Sequence, residues 1–325
     1  MSSHERRTRR GARSVVTTVV GWLFVAVLTV AAAGCVAKTQ VRSVDAVLKK
    51  YDLKVEGEPV KLTVKVPADW KVPLGAYPEG LYWGLANEYS KDVGLDLTKL
   101  KGQTVEAWVY SLAGGLPGEG DQARFRYPSD VVVLLDQGKV AGAWVNFNRW
   151  GVGPSVRLRK LEDITGLTFE KWVEREGFFN DPGSNADLAK LNPAEVVAAF
   201  FEAINKGDKV RANACLSPRV MLNGLTVNLR PRVLYNPGFG ENNSYTENIL
   251  SGTLVSWRYY ALDPSRGMVT GQNQPAGDSV GIEAQVFIRW RDATFNSPSG
   301  GPETRFIGLT RTAYGWKIEG FGTGP

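Results

Sequence analysis

Asn192-Pro-Ala-Glu-Val-Val-Ala-Ala-Phe-Phe-Glu-Ala-Ile-Asn-Lys-Gly-Asp208 is the stretch that decides the fold of the second half of the chain. Asn192 is suited to cap a helix, Pro193 to its first turn, and Glu195 to answer the cap three residues on. Val196, Val197, Phe200, Phe201 and Ile204 then recur at spacings of three and four, a broad apolar stripe. These signals predict a helix over Pro193–Asn205. Lys206-Gly207-Asp208 ends it and starts a second helix that runs to Leu216, before Ser217-Pro218. Beyond it, Val220–Leu229, Thr253–Leu262, Val280–Arg291, Glu303–Ala313 and Trp316–Ile318 read as strands, with loops at Arg230–Ser251 and Asp263–Ser279. A striped helix followed by long alternating strands makes a one-sided antiparallel sheet that the helix has to cover.

The order of helix, Asn205-Lys-Gly-Asp208 turn, second helix, Leu216-Ser-Pro218 and a sheet closing in Gly315-Trp-Lys-Ile318 resembles the NTF2-like (cystatin-like, SnoaL-like) superfamily over about residues 192–325. The closing Gly315-Trp-Lys-Ile-Glu-Gly-Phe-Gly-Thr-Gly-Pro325 is similar to an uncharacterised lipoprotein branch of it that also ends in Gly-Thr-Gly-Pro. The resemblance implies a cone of curved sheet and covering helices whose mouth holds a small apolar ligand. It also implies a rival, since a few members are isomerases or dehydratases. By position, Trp257, Tyr259, Tyr260 and Trp290 are the candidates to line such a cone, although alternation sends only half of them inward. An isomerase needs a carboxylate base beside an oxyanion donor. No Asp or Glu lies within the run beside Tyr259 and Tyr260, and Glu283, alternating with Ile282 and Ala284, is expected to face solvent. No catalytic residue is assigned.

Toward the N-terminus, Phe178-Phe-Asn-Asp-Pro-Gly-Ser-Asn185 is rich in turn formers and carries the expected domain boundary, with a linker at 179–191. The preceding domain, 41–178, reads as a helix over 41–51, a strand over Pro59–Val66, an amphipathic helix over Tyr77–Val93 and a strand over Thr104–Leu112. A hairpin follows, Asp130–Asp136 and Lys139–Val145, turning at Asp136-Gln-Gly-Lys139, and then a helix over Phe169–Glu176. The fold class is therefore α+β in both domains: a helix-plus-antiparallel-sheet domain, then the cone. Residues 41–145, with Tyr51-Asp-Leu, Val66-Pro-Ala-Asp-Trp70, Asn87-Glu-Tyr89 and Lys101-Gly102, resemble an uncharacterised domain family of Gram-positive lipoproteins. That resemblance implies a fold and no activity.

The far N-terminus is an export signal. Arg6, Arg7, Arg9, Arg10 and Arg13 precede the apolar run Ser14–Gly34, and small residues lead to Cys35. Ala32-Ala-Gly-Cys35 resembles the lipobox of bacterial lipoproteins, which implies cleavage after residue 34, a diacylglyceryl thioether on Cys35 and a short tether over 35–40. The alternative is an uncleaved signal anchor, because the run is long enough to span a ~30 Å hydrocarbon core. Both place the rest of the chain outside the cytoplasm.

Composition narrows the chemistry. The formal charge of +6 comes mostly from the leader arginines, and no basic run follows Cys35, which argues against nucleic acid as a partner. The single histidine is His4, so the exported chain has no Ser-His-Asp triad and no histidine-ligated metal site. Asp92, Asp96, Asp121 and Asp130 do not fall at calcium-loop spacing, and Gly114–Gly120 lacks the Gly-Lys-Ser/Thr ending of a phosphate loop. No metal and no cofactor is expected. Cys215, the second of two cysteines, reads as a small buried core residue. Of the ten tryptophans, Trp144 and Trp150, with Phe147 between them, are the candidates for an exposed recognition patch. The sequence thus points to a lipid-anchored envelope protein with a non-catalytic role, binding a small apolar ligand or an envelope protein or glycan. The alternative is a ketosteroid-isomerase or dehydratase-like enzyme.

Overall fold

A computed structural model of the chain describes residues 44–117, 123–147, 151–179, 183–226, 234, 245–263, 267–271, 277–292 and 301–324. The export signal, Cys35 and the tether lie outside these residues, as does Trp150. The molecule is α+β, built on two five-stranded antiparallel sheets.

The first sheet runs in the order β1-β2-β5-β6-β7, with β1 Val55–Lys65, β2 Thr104–Leu112, β5 Ser129–Asp136, β6 Lys139–Phe147 and β7 Gly151–Val152. A two-stranded ribbon, β3 Leu116–Pro117 with β4 Arg126–Tyr127, hangs beside it. The β5–β6 turn places Gln137 and Gly138 at φ 46° and 77°, the left-handed pair that matches strand twist in a tight hairpin. Both faces of this sheet are covered. Trp108, Tyr110, Val131, Val133, Ala143 and Val145 pack with Val44 and Leu48 of α1 (44–50). Ala107, Val109, Val132, Leu134 and Trp144 pack on the other side with Leu81, Trp83 and Leu85 of α2 (Glu79–Lys91). Burial on both sides is why β5 reads as an unbroken apolar run rather than an alternating one.

Helix α2 departs from its amphipathic reading. Every residue from Gly80 to Ser90 is buried. Its two glycines permit this: a Cβ on Gly80 would lie 2.0 Å from the Trp70 carbonyl oxygen, and one on Gly84 2.2 Å from the Phe178 ring. The 3-10 turn Leu97–Leu100 and the short helix α3 (Leu161–Thr165), which the pattern does not announce, lead on to α4 (Phe169–Glu176). Gly183–Lys190, inside the expected linker, forms a 3-10 helix with Leu188 fully buried.

The second sheet runs β12-β11-β10-β8-β9, with β8 Ile249–Asp263, β9 Gly267–Gly271, β10 Ser279–Trp290, β11 Glu303–Thr312 and β12 Gly315–Gly322. Helix α5 (Pro193–Lys206) covers its inner face. The Asn192 side chain accepts from the Glu195 amide at 3.0 Å while Glu195 accepts from the Asn192 amide at 2.8 Å, and Gly207 closes the helix at φ 69°. Phe201 lies over Gly252, where a Cβ would come within 2.2 Å of its ring. The Asn205 amide exchanges two hydrogen bonds with the Gly252 backbone, at 2.7 and 2.9 Å, locking α5 onto β8.

Helix α6 (Lys209–Ala214) is capped by Asp208. The expected strand Val220–Leu229 is instead helix α7, Pro218–Thr226, with residues 227–229 outside the described residues. The reason is local. The Ser217 hydroxyl accepts from the Val220 amide at 3.2 Å with Pro218 at the first helical position, a cap that overrides the apolar alternation. Between α6 and α7 the chain runs along the edge of β12. The Ser217 amide donates to the Ile318 carbonyl at 2.9 Å, and the Ile318 amide to the Cys215 carbonyl at 2.8 Å. This seals an edge that would otherwise stand open. One contiguous core joins the two halves, taking in Trp83, Trp144, Trp172, Leu188, Phe200, Ile282 and Ile307.

Candidate functional site

Among the described residues, the inner face of the second sheet is packed against α5, with Leu254, Trp257 and Trp290 half-buried beside it. Val280, Ile282, Ala284, Val286 and Ile288 of β10 meet Val196, Val197, Phe200 and Phe201 of α5 in the core. Tyr259 is buried there, with Trp257 against it at 5.0 Å. Trp290 is half-buried against the same core, 5.6 Å from the Arg305 guanidinium, which itself pairs with Glu303 at 2.9 Å. These residues, expected to line a ligand cone, pack into the protein instead. Burial holds the Tyr259 phenol above its ordinary pKa, with Glu195 adding to the effect. Glu195 is exposed and committed to the α5 cap.

The exposure expected of Trp144 is also corrected, while Trp150, the other tryptophan of that expected patch, lies outside the described residues. Trp144 is fully buried and its indole donates to Asn146 Oδ1 at 2.9 Å. Asn146 also receives the Tyr82 hydroxyl at 3.2 Å and donates to the Leu234 carbonyl at 3.0 Å. The two-sided cover of the first sheet leaves β6 no solvent face at this position. Cys215 is a core thiol, as its surroundings predict, and burial pushes its pKa up to about 12. Glu283 lies on the outer face under Arg258, held by two bonds of 2.7 and 2.9 Å.

What the fold leaves open lies on the outer face of the second sheet. Tyr260 of β8, Gly281 of β10 and Gly308 of β11 stand side by side across three strands, and Gly320 of β12 continues the row. The Tyr260 ring lies over Gly281, where a Cβ would come within 2.3 Å of Cζ, and meets Phe306 edge-on at 5.4 Å. At Gly308 an added Cβ would meet only the Glu319 Cβ, at 3.9 Å. Glu319 faces the same side because β12 bulges opposite Gly308 and Leu309. The result is a floor of bare backbone between an aromatic ring and a carboxylate. Glu170 of α4 and Arg219 of α7 form the far wall, with Arg219 Nε and Nη2 on Glu170 Oε1 at 3.0 and 2.7 Å. Ser279 and Thr310, paired at the strand ends, complete an open cleft of about 540 Å³. A second cleft of about 280 Å³, between α4 and the β10 and β11 ends, shares Glu170 with it.

Burial raises the pKa of the Glu319 carboxyl, opposed by a hydrogen bond from Ser217, while Glu170 raises it further and Arg219 lowers it. The Tyr260 phenol is likewise raised by burial. The cleft therefore offers hydrogen-bond acceptors and donors, a ring face and a flat floor. It presents no histidine or cysteine, and among the described residues no group of three or more His, Cys, Asp and Glu is placed to hold a metal ion. Of the sequence candidates among the described residues, only Tyr260 reaches it. Glu170, Arg219 and Glu319 were not singled out. The one sequence signal was a glycine inside each of two long strands, which marks a close approach or an open floor.

A domain family described as a domain of unknown function (DUF4830) matches residues 47–145, which hold β1, β2, β5, most of β6 and the α2 cover. The first half thus carries an uncharacterised domain, as its resemblance implied. No curated protein and no solved structure matches the chain. No helix among the described residues is long and apolar enough to cross a membrane.

Proposed function

We propose that this chain is an extracytoplasmic lipoprotein, held to the membrane by a lipid on Cys35, that binds a ligand or envelope partner without chemistry. Its second half is read as an NTF2-like domain whose cone has been filled. The observation that carries the reading is the contrast between the two faces of one sheet. Side chains of α5 occupy the inner face where a cone ligand would sit, and the outer face keeps the glycine-floored cleft. An isomerase would need a buried carboxylate base beside a proton donor inside the cone. Among the described residues the inner-face carboxylate Glu303 is instead paired through Oε2 with Arg305 near Trp290, and this favours binding over catalysis.

Two measurements test this. Cys35→Ser should leave the protein unprocessed or released from membranes; unchanged retention and size would support the signal-anchor alternative. Native mass spectrometry of the protein gently extracted from membranes should show a bound mass or partner that Gly308→Leu removes. Identical spectra for the two proteins would contradict binding at this cleft.

A further inference from the structure

We propose that the outer-face cleft is a carbohydrate site that takes an uncharged pyranose unit of a polysaccharide chain. The proposal rests on the binding reading above and names its ligand class. Three features of the cleft carry it. Its platform is flat: the Tyr260 ring is laid on the sheet over Gly281, and the neighbouring Gly308 adds bare backbone. A pyranose presents a face of C–H bonds that stacks on such a ring, a use of tyrosine that joins apolar area to a polar tip. Its rim is polar and fixed. Glu319 of β12 and the Arg219–Glu170 pair, joined by two hydrogen bonds, stand together at the side of the cleft opposite Tyr260 of β8. Carboxylate and guanidinium groups make the charge-assisted bonds that grip ring hydroxyls.

Its charge is the third feature. Two carboxylates against one guanidinium disfavour an anionic ligand, and among the described residues lining the cleft Arg219 is the one cation. An uncharged sugar meets neither obstacle. The volume of about 540 Å³ lies within the ~300–1,000 Å³ usual for small-ligand sites. Its open shape admits one unit of a longer chain, which an enclosed pocket would not. An extended peptide would instead seek a free strand edge. Here Leu216 bridges to Ile318 on β12, the edge strand beside the cleft.

The test uses the full exported chain and four probes: tetramers of N-acetylglucosamine, glucose and mannose, and an anionic oligogalacturonate, titrated calorimetrically. At least one uncharged tetramer should bind, and the oligogalacturonate should not. Tyr260→Ala and Gly308→Leu should each weaken binding by roughly tenfold or more. Gly308→Ala, which adds a Cβ into open space, should weaken it less while melting like the parent. The carbohydrate assignment is overturned if no uncharged tetramer binds, if the anionic oligomer binds best, or if Gly308→Leu binds as the parent does. Should no sugar bind while the membrane-extracted protein still carries a mass that Gly308→Leu removes, the ligand class falls and the binding reading stands. Should both fail, both readings fall together.

Discussion

The two sheets have the same strand number and both are antiparallel throughout, yet they do different work. The first is covered on both faces, by α1 and by α2, and its fully buried side chains include Trp108 and Trp144. The second is covered on one face by α5, while its outer face carries ion pairs, half-exposed aromatics and a row of glycines. A sheet closed on both sides stores stability and has no surface to offer. A sheet closed on one side has a rigid back and a front that can be shaped for binding.

The largest test of that contrast is a pair of truncations. Trp144→Ala in the first sheet should cost about 3–5 kcal/mol of unfolding free energy in urea. Phe287→Ala, on the outer face of the second sheet and 44% exposed, should stay within about 0.5 kcal/mol of the parent. Equal losses would break the comparison. The glycine row gives a finer cut. Gly281→Ala drives a Cβ into the Tyr260 ring and should destabilise by about 1–3 kcal/mol. Gly308→Ala, one strand over, should leave stability within about 0.5 kcal/mol.

Next in size is the cap that fixes α5 against the inner face. Asn192→Ala should lower stability by about 1 kcal/mol, with Asn192→Ser recovering most of it. The narrowest effect depends on pH and concerns the sealed edge of β12. Lys317 is buried with its ammonium donating to the Ala214 carbonyl at 2.7 Å, and burial lowers its pKa to about 8, against the nearby Cys215 and Asp187. Its folded pKa lies below the ordinary 10.5, so above about pH 8 the unfolded chain holds more protons and stability rises with pH. Cys215 acts oppositely. Its pKa is raised from 9.0 to about 12, so from pH 9 upward the unfolded chain loses the thiol proton first and stability falls. Melting temperature should climb from pH 8 to 9 and then flatten. Lys317→Met should remove the climb and leave only the fall; a parent profile flat across pH 8–9 would contradict this account of the edge.

How much of this could be read beforehand depended on whether the signal was local. The α5 cap lies within four consecutive residues, and the structure closes it as Asn192 and Glu195 predict. The β5–β6 turn is equally local. At helix α7 the apolar residues after Val220 fit a strand as well as a helix, and the deciding Ser217-Pro218 cap sits outside that run. The burial of α2 on all sides was hidden for a different reason: Gly80 and Gly84 look like weak points in a helix until the partners that press on them, Trp70 and Phe178, are in place. The aromatic candidates Trp257, Tyr259 and Trp290 face inward as a cone lining would, but they pack into the core there, which no local signal announces. Tyr259 and Tyr260 are neighbours in sequence, and alternation sends one into the core and the other to the cleft. The cleft itself is not local at all, drawing on residues from Glu170 to Glu319 across α4, α7 and four strands.

The central claim is that the working surface is the outer face of the second sheet and not its interior. Hydrogen exchange of the protein within membrane extracts, compared with the same protein purified, tests it without knowing the ligand. The account predicts extra protection in the extract confined to residues 279–281, 308–310 and 319, and its loss in Gly308→Leu. Protection that appears instead along α5 and at the inner-face residues Gly252, Leu254, Trp257 and Tyr259, with the cleft residues unchanged, would contradict it.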